Sequence, residues 1–191
     1  YQSDLLPEFT QKCIEWHYPE CLENESPILS FATKVIQNTA VMIAKWQLVG
    51  FAHGVMNTDN LNITGSTLDF GPYGFMERFR PNWINNHSDH HGRYTYQQQP
   101  SIGHWNLWNW LNNLVPLCPE DVEKEQWKEQ LAQCLEHYEP TFLEHYKLGL
   151  NQKMGLPSFH KDSFDCAMAF LRILQTEQLD YTQNFIRLQQ K

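Results

Sequence analysis

A long run of apolar residues at helical spacing is the feature that most constrains the fold of this chain. The run follows Ser26-Pro27, a favourable pair for a helix N-cap and first turn, and it extends to Gly50. The apolar positions are Ile28, Leu29, Phe31, Val35, Ile36, Met42, Ile43 and Trp46. Because apolar residues recur over so many turns, we predict a long, largely buried helix.

The helical pattern is interrupted once and then resumes. Glycines and prolines punctuate residues 51–89, where only 61–63 and 67–70 have the composition of strands, around a Thr64-Gly65 turn. A short helix is expected within residues 1–25, and further helices at 102–114, 119–137, 140–153, 161–175 and from about 182. We therefore predict a mainly α fold with a small β-hairpin, in a single domain over residues 1–191, with its functional loop region at 51–94.

Composition and charge narrow the classes of function. Hydrophobic residues make up 41% of the chain, and no segment approaches the roughly 18 uninterrupted apolar residues of a membrane span, so we expect a soluble globular protein without membrane partners. The 22 acidic and 14 basic residues give a net charge of −8, which disfavours nucleic acid as a partner. A nucleotide would then need a metal ion or a local basic patch.

Cysteine usage and the N-terminus bear on cellular location. The five cysteines include no C-x-x-C pair, which supports neither a disulfide framework nor a zinc knuckle. A reducing compartment, the bacterial cytoplasm, is therefore expected. The chain begins at Tyr1 rather than Met and shows no signal peptide, so we interpret it as a piece of a longer protein, and a mitochondrial origin stays open.

The densest polar constellation is the string from His53 to Asn60, followed by Asp69-Phe70-Gly71. Asn60 and Asp69 stand on either side of the predicted turn, and a hairpin brings such residues together. Their oxygens suit Mg²⁺, which takes only one or two ligands from protein and the rest from phosphate and water. Asp59, beside the asparagine, can accept a proton from an attacking hydroxyl. The sequence therefore predicts a magnesium site at Asn60 and Asp69, with Asp59 as the base.

The spacing is similar to that of the catalytic loop and Asp-Phe-Gly of protein kinases, although Val55 stands where those enzymes place the catalytic Asp. Longer strings resemble the selenoprotein O family, also called the YdiU or UPF0061 family. The match is strong from about Trp46 to Leu107 and weaker over the flanking helices. The strings lie at 53–60, 65–75, 86–89, 92–94, 99–100 and 105–107.

The resemblance implies a protein-kinase-like fold and a protein adenylyltransferase, which moves AMP from ATP onto Ser, Thr or Tyr hydroxyls of other proteins. In this family the nucleotide is inverted relative to kinases, so that the α-phosphorus faces the acceptor. Asp59 matches the proton acceptor, and Asn60 and Asp69 match the Mg²⁺ ligands, with Asp69 also reaching the ATP phosphates through the metal. Three alternatives stay open: UMP transfer with Mn²⁺, kinase-type phosphoryl transfer by the same residues, and a non-catalytic scaffold.

Two departures from the family qualify the resemblance. No Gly-rich loop with an accompanying lysine and αC-type glutamate precedes residue 26, and the family's Cys-containing C-terminal tail does not follow Gln190. We therefore expect the chain to be the helical C-lobe alone, without the N-lobe. By itself it should bind ATP poorly and be nearly inactive.

Four further groups of residues receive structural interpretations. The histidines near Asp89 could form a zinc site, but they are expected to lie on the surface. Arg93 and Tyr94 are expected to anchor their loop rather than contact a substrate, for example through the Arg93 guanidinium on Asp89. Trp105 and Trp108 share a helix face, which is typical of core packing or contact with another lobe, whereas no sequence feature favours the alternative of an aromatic substrate platform. Three cysteines among apolar residues are expected to pack as small hydrophobic side chains. The histidines and cysteines are His87, His90, His91 and His104, and Cys118, Cys134 and Cys166.

Overall fold

The computed structural model describes residues 3–157 and 162–190. Within these ranges the chain is mainly helical, as predicted, with two short strands. The elements are α1 Leu6–His17, α2 Pro27–Val49, β1 Phe51–Ala52, β2 Gly74–Phe75, α3 Gln99–Asn112, α4 Lys124–Leu135, α5 Tyr138–Lys153, α6 Ser163–Thr176 and α7 Tyr181–Gln189. None of the helices in the described ranges is long and apolar enough to cross a membrane.

The α2 helix is the long buried helix that the sequence predicts. It begins at Pro27 and ends at Val49, and Gly50 follows in the left-handed conformation (φ 69°), donating its N–H to the Trp46 carbonyl. Helices α1, α3, α4 and α5 all pack against α2. At two of these contacts a glycine lets the helices approach closely. A Cβ at Gly103 would lie 2.2 Å from Ile43 Cδ1, and one at Gly149 would lie 2.2 Å from Leu48 Cδ1.

The C-terminal end of α2 is fixed by side chains from distant parts of the chain. The Tyr181 hydroxyl donates to the Leu48 carbonyl (3.0 Å), which also accepts a hydrogen bond from Lys153 Nζ. The Lys153 ammonium lies 4.2 Å and 4.1 Å from the ring centres of Tyr181 and Phe185, and burial lowers the pKa of Lys153 to about 8. Because β1 follows directly after Gly50, this anchoring also fixes where the loop region begins.

The position of the small sheet differs from the prediction. β1 and β2 pair antiparallel, with Phe51 opposite Phe75 and Ala52 opposite Gly74, whereas residues 61–70 contain no strand. The turn near Gly65 does form, since the Gly65 N–H donates to the Asn62 carbonyl (3.1 Å). The prediction of strands at 61–63 and 67–70 was wrong because this segment forms a turn and bonds to Tyr18 and Trp46 instead of pairing as two strands.

Two hydrogen bonds hold the 61–70 segment against the helical core. Tyr18 donates its hydroxyl to the Ile63 carbonyl (2.6 Å), and Trp46 Nε1 donates to Thr67 Oγ1 (2.9 Å). These bonds and the turn near Gly65 carry the chain from residue 60 to residue 69 as a loop.

Several helix ends differ by a few residues from those predicted. α3 begins at Gln99 rather than 102, and α4 begins at Lys124 rather than 119, because residues 119–122 form a turn closed by Val122 N–H on the Pro119 carbonyl (3.2 Å). The predicted helix start at Lys161 lies outside the described residues. The short helix expected near the N-terminus is α1.

Candidate active site

The loop after β1 carries the predicted site from the buried core to the surface. His53 is 1% exposed and Met56 is 2% exposed, whereas residues 57–59 are exposed. A single turn of 3₁₀ helix, Thr58–Asn60, is closed by the Asn60 N–H on the Asn57 carbonyl (3.0 Å). Asp59, the predicted base, therefore lies on an exposed turn that a well-buried segment holds in place.

The structure brings Asn60 and Asp69 together. Asn60 Nδ2 lies 2.7 Å from Asp69 Oδ2 and 3.0 Å from the Val55 carbonyl oxygen. Asp69 has φ 57°, a left-handed conformation that costs a residue with a Cβ about 1 kcal/mol but is tolerated best by Asn and Asp. Asp69 therefore adopts an unusual backbone conformation beside Asn60. The expected proximity is present although the expected hairpin is not.

His53 connects the two halves of the site. The Val55 N–H donates to His53 Nδ1 (3.4 Å), and His53 Nε2 lies 2.7 Å from the Leu68 carbonyl oxygen. Since Nδ1 accepts, the proton of the neutral ring is on Nε2, which donates to Leu68. This bond fixes the residue directly before Asp69 to the start of the loop that carries Asp59 and Asn60.

Side-chain amides donate to five backbone carbonyls within residues 51–56, and we call this set of five amides the amide cradle. Gln99 donates to the Phe51 carbonyl (2.9 Å) and Asn106 to the Met56 carbonyl (3.0 Å), both from α3. The other three contacts are Asn85 on Ala52 (2.8 Å), Asn86 on Gly54 (3.0 Å) and Asn60 on Val55 (3.0 Å). The loop is thus held by uncharged donors from several segments.

Gln99 takes the place of a third strand. Its Nε2 donates to the Phe51 carbonyl, and its Oε1 accepts the His53 N–H, each at 2.9 Å. On the other edge, the Met76 N–H donates to the Gly50 carbonyl (2.8 Å), as expected for pairing with β2. A fully buried amide therefore completes the hydrogen bonding of a segment that has a strand on only one side.

Gly54 is required at its position by both conformation and space. Its φ is 85°, and an added Cβ would lie 2.9 Å from Asn85 Oδ1 and 3.0 Å from the Pro72 carbonyl oxygen. Any side chain at residue 54 would push the loop away from the segment that follows Asp69. The close approach of these two segments depends on the glycine.

Aromatic rings surround the Asp69 side of the site. Phe70, Tyr73 and Phe75 are 56%, 47% and 62% exposed. Their ring centres lie 6.3, 6.0 and 5.3 Å from that of the buried Phe51. The segment after Asp69 therefore presents an exposed aromatic surface anchored on β1.

On the Asp59 side, Tyr94 donates its hydroxyl to Asn57 Oδ1 (2.6 Å). The Asp89 carboxylate accepts the backbone N–H groups of Arg93 (3.0 Å) and Tyr94 (2.7 Å). The expected guanidinium contact on Asp89 is not formed, because the Arg93 guanidinium instead lies 4.7 Å from the ring centre of Trp105. Arg93 anchors this loop through its backbone rather than its charge.

The tryptophans and cysteines correct two further expectations. Trp105 and Trp108 are 44% and 52% exposed, so neither packs in the core, because α3 turns Gly103, Asn106 and Leu107 inward instead. Contact with another lobe, the other expectation for this face, stays a prediction. Cys134 is buried and Cys118 is partly buried, as expected. Cys166 is exposed because α6 turns Ala167 and Leu171 to the core.

A metal ion is compatible with Asn60 and Asp69. The pair offers one carboxylate and one amide oxygen near the protein surface, which leaves room for phosphate and water in the coordination shell. Binding through Oδ1 requires the Asn60 amide to turn, since its nitrogen now faces Asp69. Nowhere in the described ranges, this pair included, are three or more His, Cys, Asp or Glu side chains grouped to hold a metal. The side chains of His87, His90, His91 and His104 are exposed.

Sequence reasoning assigned no role to four members of the amide cradle. Gln99 and Asn106 lie on the inner face of α3 with Gly103, at spacings of four and three residues. A polar amide on the buried face of a helix needs a partner, and that signal was available in the sequence. Nothing comparable distinguished Asn85 and Asn86, which lie in an irregular loop.

Comparison with known proteins agrees with the motifs. The sequence model of the family described as Protein adenylyltransferase SelO matches residues 1–191. Proteins named Protein nucleotidyltransferase YdiU are similar: one from a Marinomonas species is 46% identical over 93% of this chain and 36% of its own length. Those of Aliivibrio salmonicida and Vibrio vulnificus are each 42% identical, over 98% and 99% of this chain and 37% of their own lengths.

The chain thus spans somewhat more than a third of the length of these curated relatives. The family match covers every residue of the chain, including the strings from His53 to Asn60 and from Asp69 to Phe75. The chain therefore belongs to the protein adenylyltransferase SelO family.

Proposed function

We propose that this chain is the helical C-lobe of a kinase-like enzyme that transfers AMP from ATP to a Ser, Thr or Tyr hydroxyl of another protein. The observation that carries the proposal is the 2.7 Å approach of Asn60 to Asp69, with Asp59 exposed beside it. Membership of the SelO family and the nucleotidyltransferase names of the relatives support the same class of reaction. The activity is proposed for the intact protein. This chain alone is expected to bind ATP poorly.

Asp59 acts as the base in the proposed reaction. Its carboxylate takes the proton of the acceptor hydroxyl, and the hydroxyl oxygen forms a bond to the α-phosphorus of ATP. The bond from the α-phosphorus to the oxygen bridging to the β-phosphate breaks, and pyrophosphate leaves. An exposed turn suits this role because the acceptor is the surface of a second protein, which a buried carboxylate could not reach.

Asn60 and Asp69 hold the metal in this proposal. Mg²⁺, or Mn²⁺ if UMP is the group transferred, supplies compensation for the charge of the phosphates when bound there. The chain's own contribution is position: His53 ties Leu68 to the loop, and the amide cradle fixes residues 51–56. Because the cradle donors are uncharged, they hold the loop without neutralising Asp59 or Asp69.

We infer that the intact protein is located in the bacterial cytoplasm. The named relatives come from bacteria, which supports the bacterial cytoplasm expected from the cysteine usage. The proposed partners are accordingly ATP and cytoplasmic proteins with accessible hydroxyl side chains.

The experiment compares transfer of two labels by the intact protein. ATP labelled at either the α- or the γ-phosphate is supplied with Mg²⁺ and acceptor protein, and protein-bound label is counted. We expect bound α-label, lost about 100-fold or more in Asp59→Asn and Asp69→Asn. Asp121→Asn, which removes an exposed carboxylate outside the loop region, is the matched control and should transfer normally.

Other outcomes identify the alternatives. Bound γ-label without α-label would make the protein a kinase. Preferred transfer from UTP with Mn²⁺ would make it a UMP transferase. No transfer of either label, with partner binding unchanged in Asp69→Asn, would leave it a scaffold.

A further inference from the structure

The stretch from residue 79 to residue 119 is unusually poor in acidic residues. It contains one, Asp89, in a chain that has 22 among 191 residues. That carboxylate accepts two backbone N–H groups of its own turn. The same stretch carries Arg80, Arg93 and four histidines. In a chain of net charge −8, this segment therefore carries one carboxylate against two arginines.

This stretch lies beside the turn that carries Asp59. Asn106 of α3 donates to the Met56 carbonyl (3.0 Å), and Tyr94 donates to Asn57 Oδ1 (2.6 Å). The Thr58–Asn60 turn itself packs against α3. The Arg93 guanidinium lies against the rings of Tyr94 and Trp105, so these contacts continue from the turn to the exposed side of α3. A polypeptide bound at Asp59 would extend over that side.

The exposed side chains here form a small surface of charge and aromatic rings, made by Arg93, Trp105 and Trp108, which we call the acceptor face. The Arg93 guanidinium lies 4.7 Å from the Trp105 ring centre and 5.6 Å from that of Tyr94. Trp105 and Trp108 are 44% and 52% exposed and lie one helical turn apart. The ion pairs found within the described residues involve Lys12 and Lys128, so Arg93 stacks on rings instead of pairing with a carboxylate there.

We propose that the acceptor face binds the protein substrate and selects segments with acidic residues next to the modified hydroxyl. This inference rests on the proposed function and specifies its substrate class. A stacked guanidinium is held in one orientation and can bind a carboxylate through two parallel N–H bonds. Exposed tryptophan and arginine are also the side chains that most often dominate binding energy at protein interfaces. Arg93 supplies the positive charge that would hold such a carboxylate beside the exposed Asp59.

The experiment uses the full-length protein and three peptides that differ only around a central tyrosine, flanked by Glu, Gln or Lys. Transfer of α-label from ATP gives kcat/KM for each peptide. We expect the wild type to prefer the Glu peptide over the Lys peptide by about tenfold or more. Arg93→Glu should reverse this preference with an unchanged KM for ATP. Arg187→Glu, the same charge change at an exposed position on α7, should leave the preference unaltered.

The tryptophans are tested by Trp105→Ala and Trp108→Ala, each expected to raise KM about fivefold for all three peptides with little change in kcat. Binding is also measured without nucleotide, by fluorescence anisotropy of the labelled peptides. This separates the two proposals, because peptide binding with the expected charge preference supports the acceptor face even if no label is transferred. An Arg93→Glu protein that keeps the wild-type preference in both assays overturns the inference. An Arg93→Glu variant that differs from the wild type only by a lower thermal midpoint also overturns the inference. In that case the acceptor face is covered by the rest of the polypeptide and does not bind peptides.

Discussion

Replacing Gln99 by leucine tests whether a side-chain amide serves as a strand in this fold. The substitution removes the donor to the Phe51 carbonyl and the acceptor of the His53 N–H, in a site that is 0% exposed. Leaving a buried backbone group without a partner costs about 1–3 kcal/mol, and two groups are affected. The greater hydrophobicity of leucine offsets about 1 kcal/mol of this. We therefore expect the free energy of unfolding to fall by roughly 2–4 kcal/mol.

Urea denaturation of the wild type and the variant gives this difference directly. At about 2–4 °C per kcal/mol for a chain of this size, the thermal midpoint should fall by about 5–15 °C. Gln98→Leu changes the exposed neighbouring glutamine and should stay within about 0.5 kcal/mol of the wild type. A loss below about 1 kcal/mol for Gln99→Leu would refute the reasoning, because the two backbone groups would then have other partners.

Gln99→Glu separates the two hydrogen bonds. The ionised carboxylate can still accept the His53 N–H but places an oxygen against the Phe51 carbonyl, so the variant should be destabilised at neutral pH. Burial holds the pKa of the new carboxyl above its unfolded value of about 4.3. Stability relative to the wild type is therefore restored below about pH 4.3, where the protonated acid donates to Phe51, and is lost as pH rises through the folded pKa. A destabilisation independent of pH would contradict this account.

Three further predictions concern close-packed glycines and buried ionisable side chains. Gly103→Ala should destabilise the protein by about 1–3 kcal/mol, because its Cβ would lie 2.2 Å from Ile43 Cδ1; Gly155→Ala, in open space but at φ 70°, should cost only about 1 kcal/mol. Gly54→Ala should lower AMP transfer by the intact protein about tenfold or more, at unchanged KM for acceptor, since it displaces the loop of Asp59 from the segment of Asp69. Burial lowers the pKa of Lys153 to about 8 from 10.5, so the unfolded state binds more protons between these values and stability should rise with pH there. Burial also raises the pKa of Tyr146 to about 12 from 10, so stability should fall again above about pH 10. In Lys153→Met the increase in stability above about pH 8 should disappear, whereas the decrease above about pH 10 should remain. Thermal midpoints measured from about pH 7 to 11 test both effects.

The parts of the fold that follow from local patterns were predictable from the sequence. The α2 helix begins and ends where Pro27 and Gly50 indicate, because a first-turn proline and a left-handed cap act within one turn of the helix. The strands at 61–63 and 67–70 were wrongly predicted for the opposite reason. A segment with the composition of a strand can also form its hydrogen bonds with residues distant in the sequence. Tyr18 and Trp46 supply such bonds here.

In the candidate site, too, some contacts were predictable from the sequence and others were not. Asn60 and Asp69 were expected to meet, and they do, but bonds from Tyr18, Trp46 and His53 to the segment between them replace the expected hairpin. The roles of Asp59, Asn60 and Asp69 stay predictions. The roles of Asn85 and Asn86 in the amide cradle were not predicted. Their bonds join residues 33 and 32 positions apart, and no local sequence pattern indicates such distant contacts.

The amide cradle also determines when the site can form during folding. Four of its five bonds join residues 32 to 50 positions apart in the chain, so residues 51–56 cannot be ordered until α3 has docked on α2. Loops of this length close at an entropic cost that only the completed core offsets. The loop that carries Asp59 should consequently become ordered late, and its amides should exchange with solvent through the same opening that releases α3.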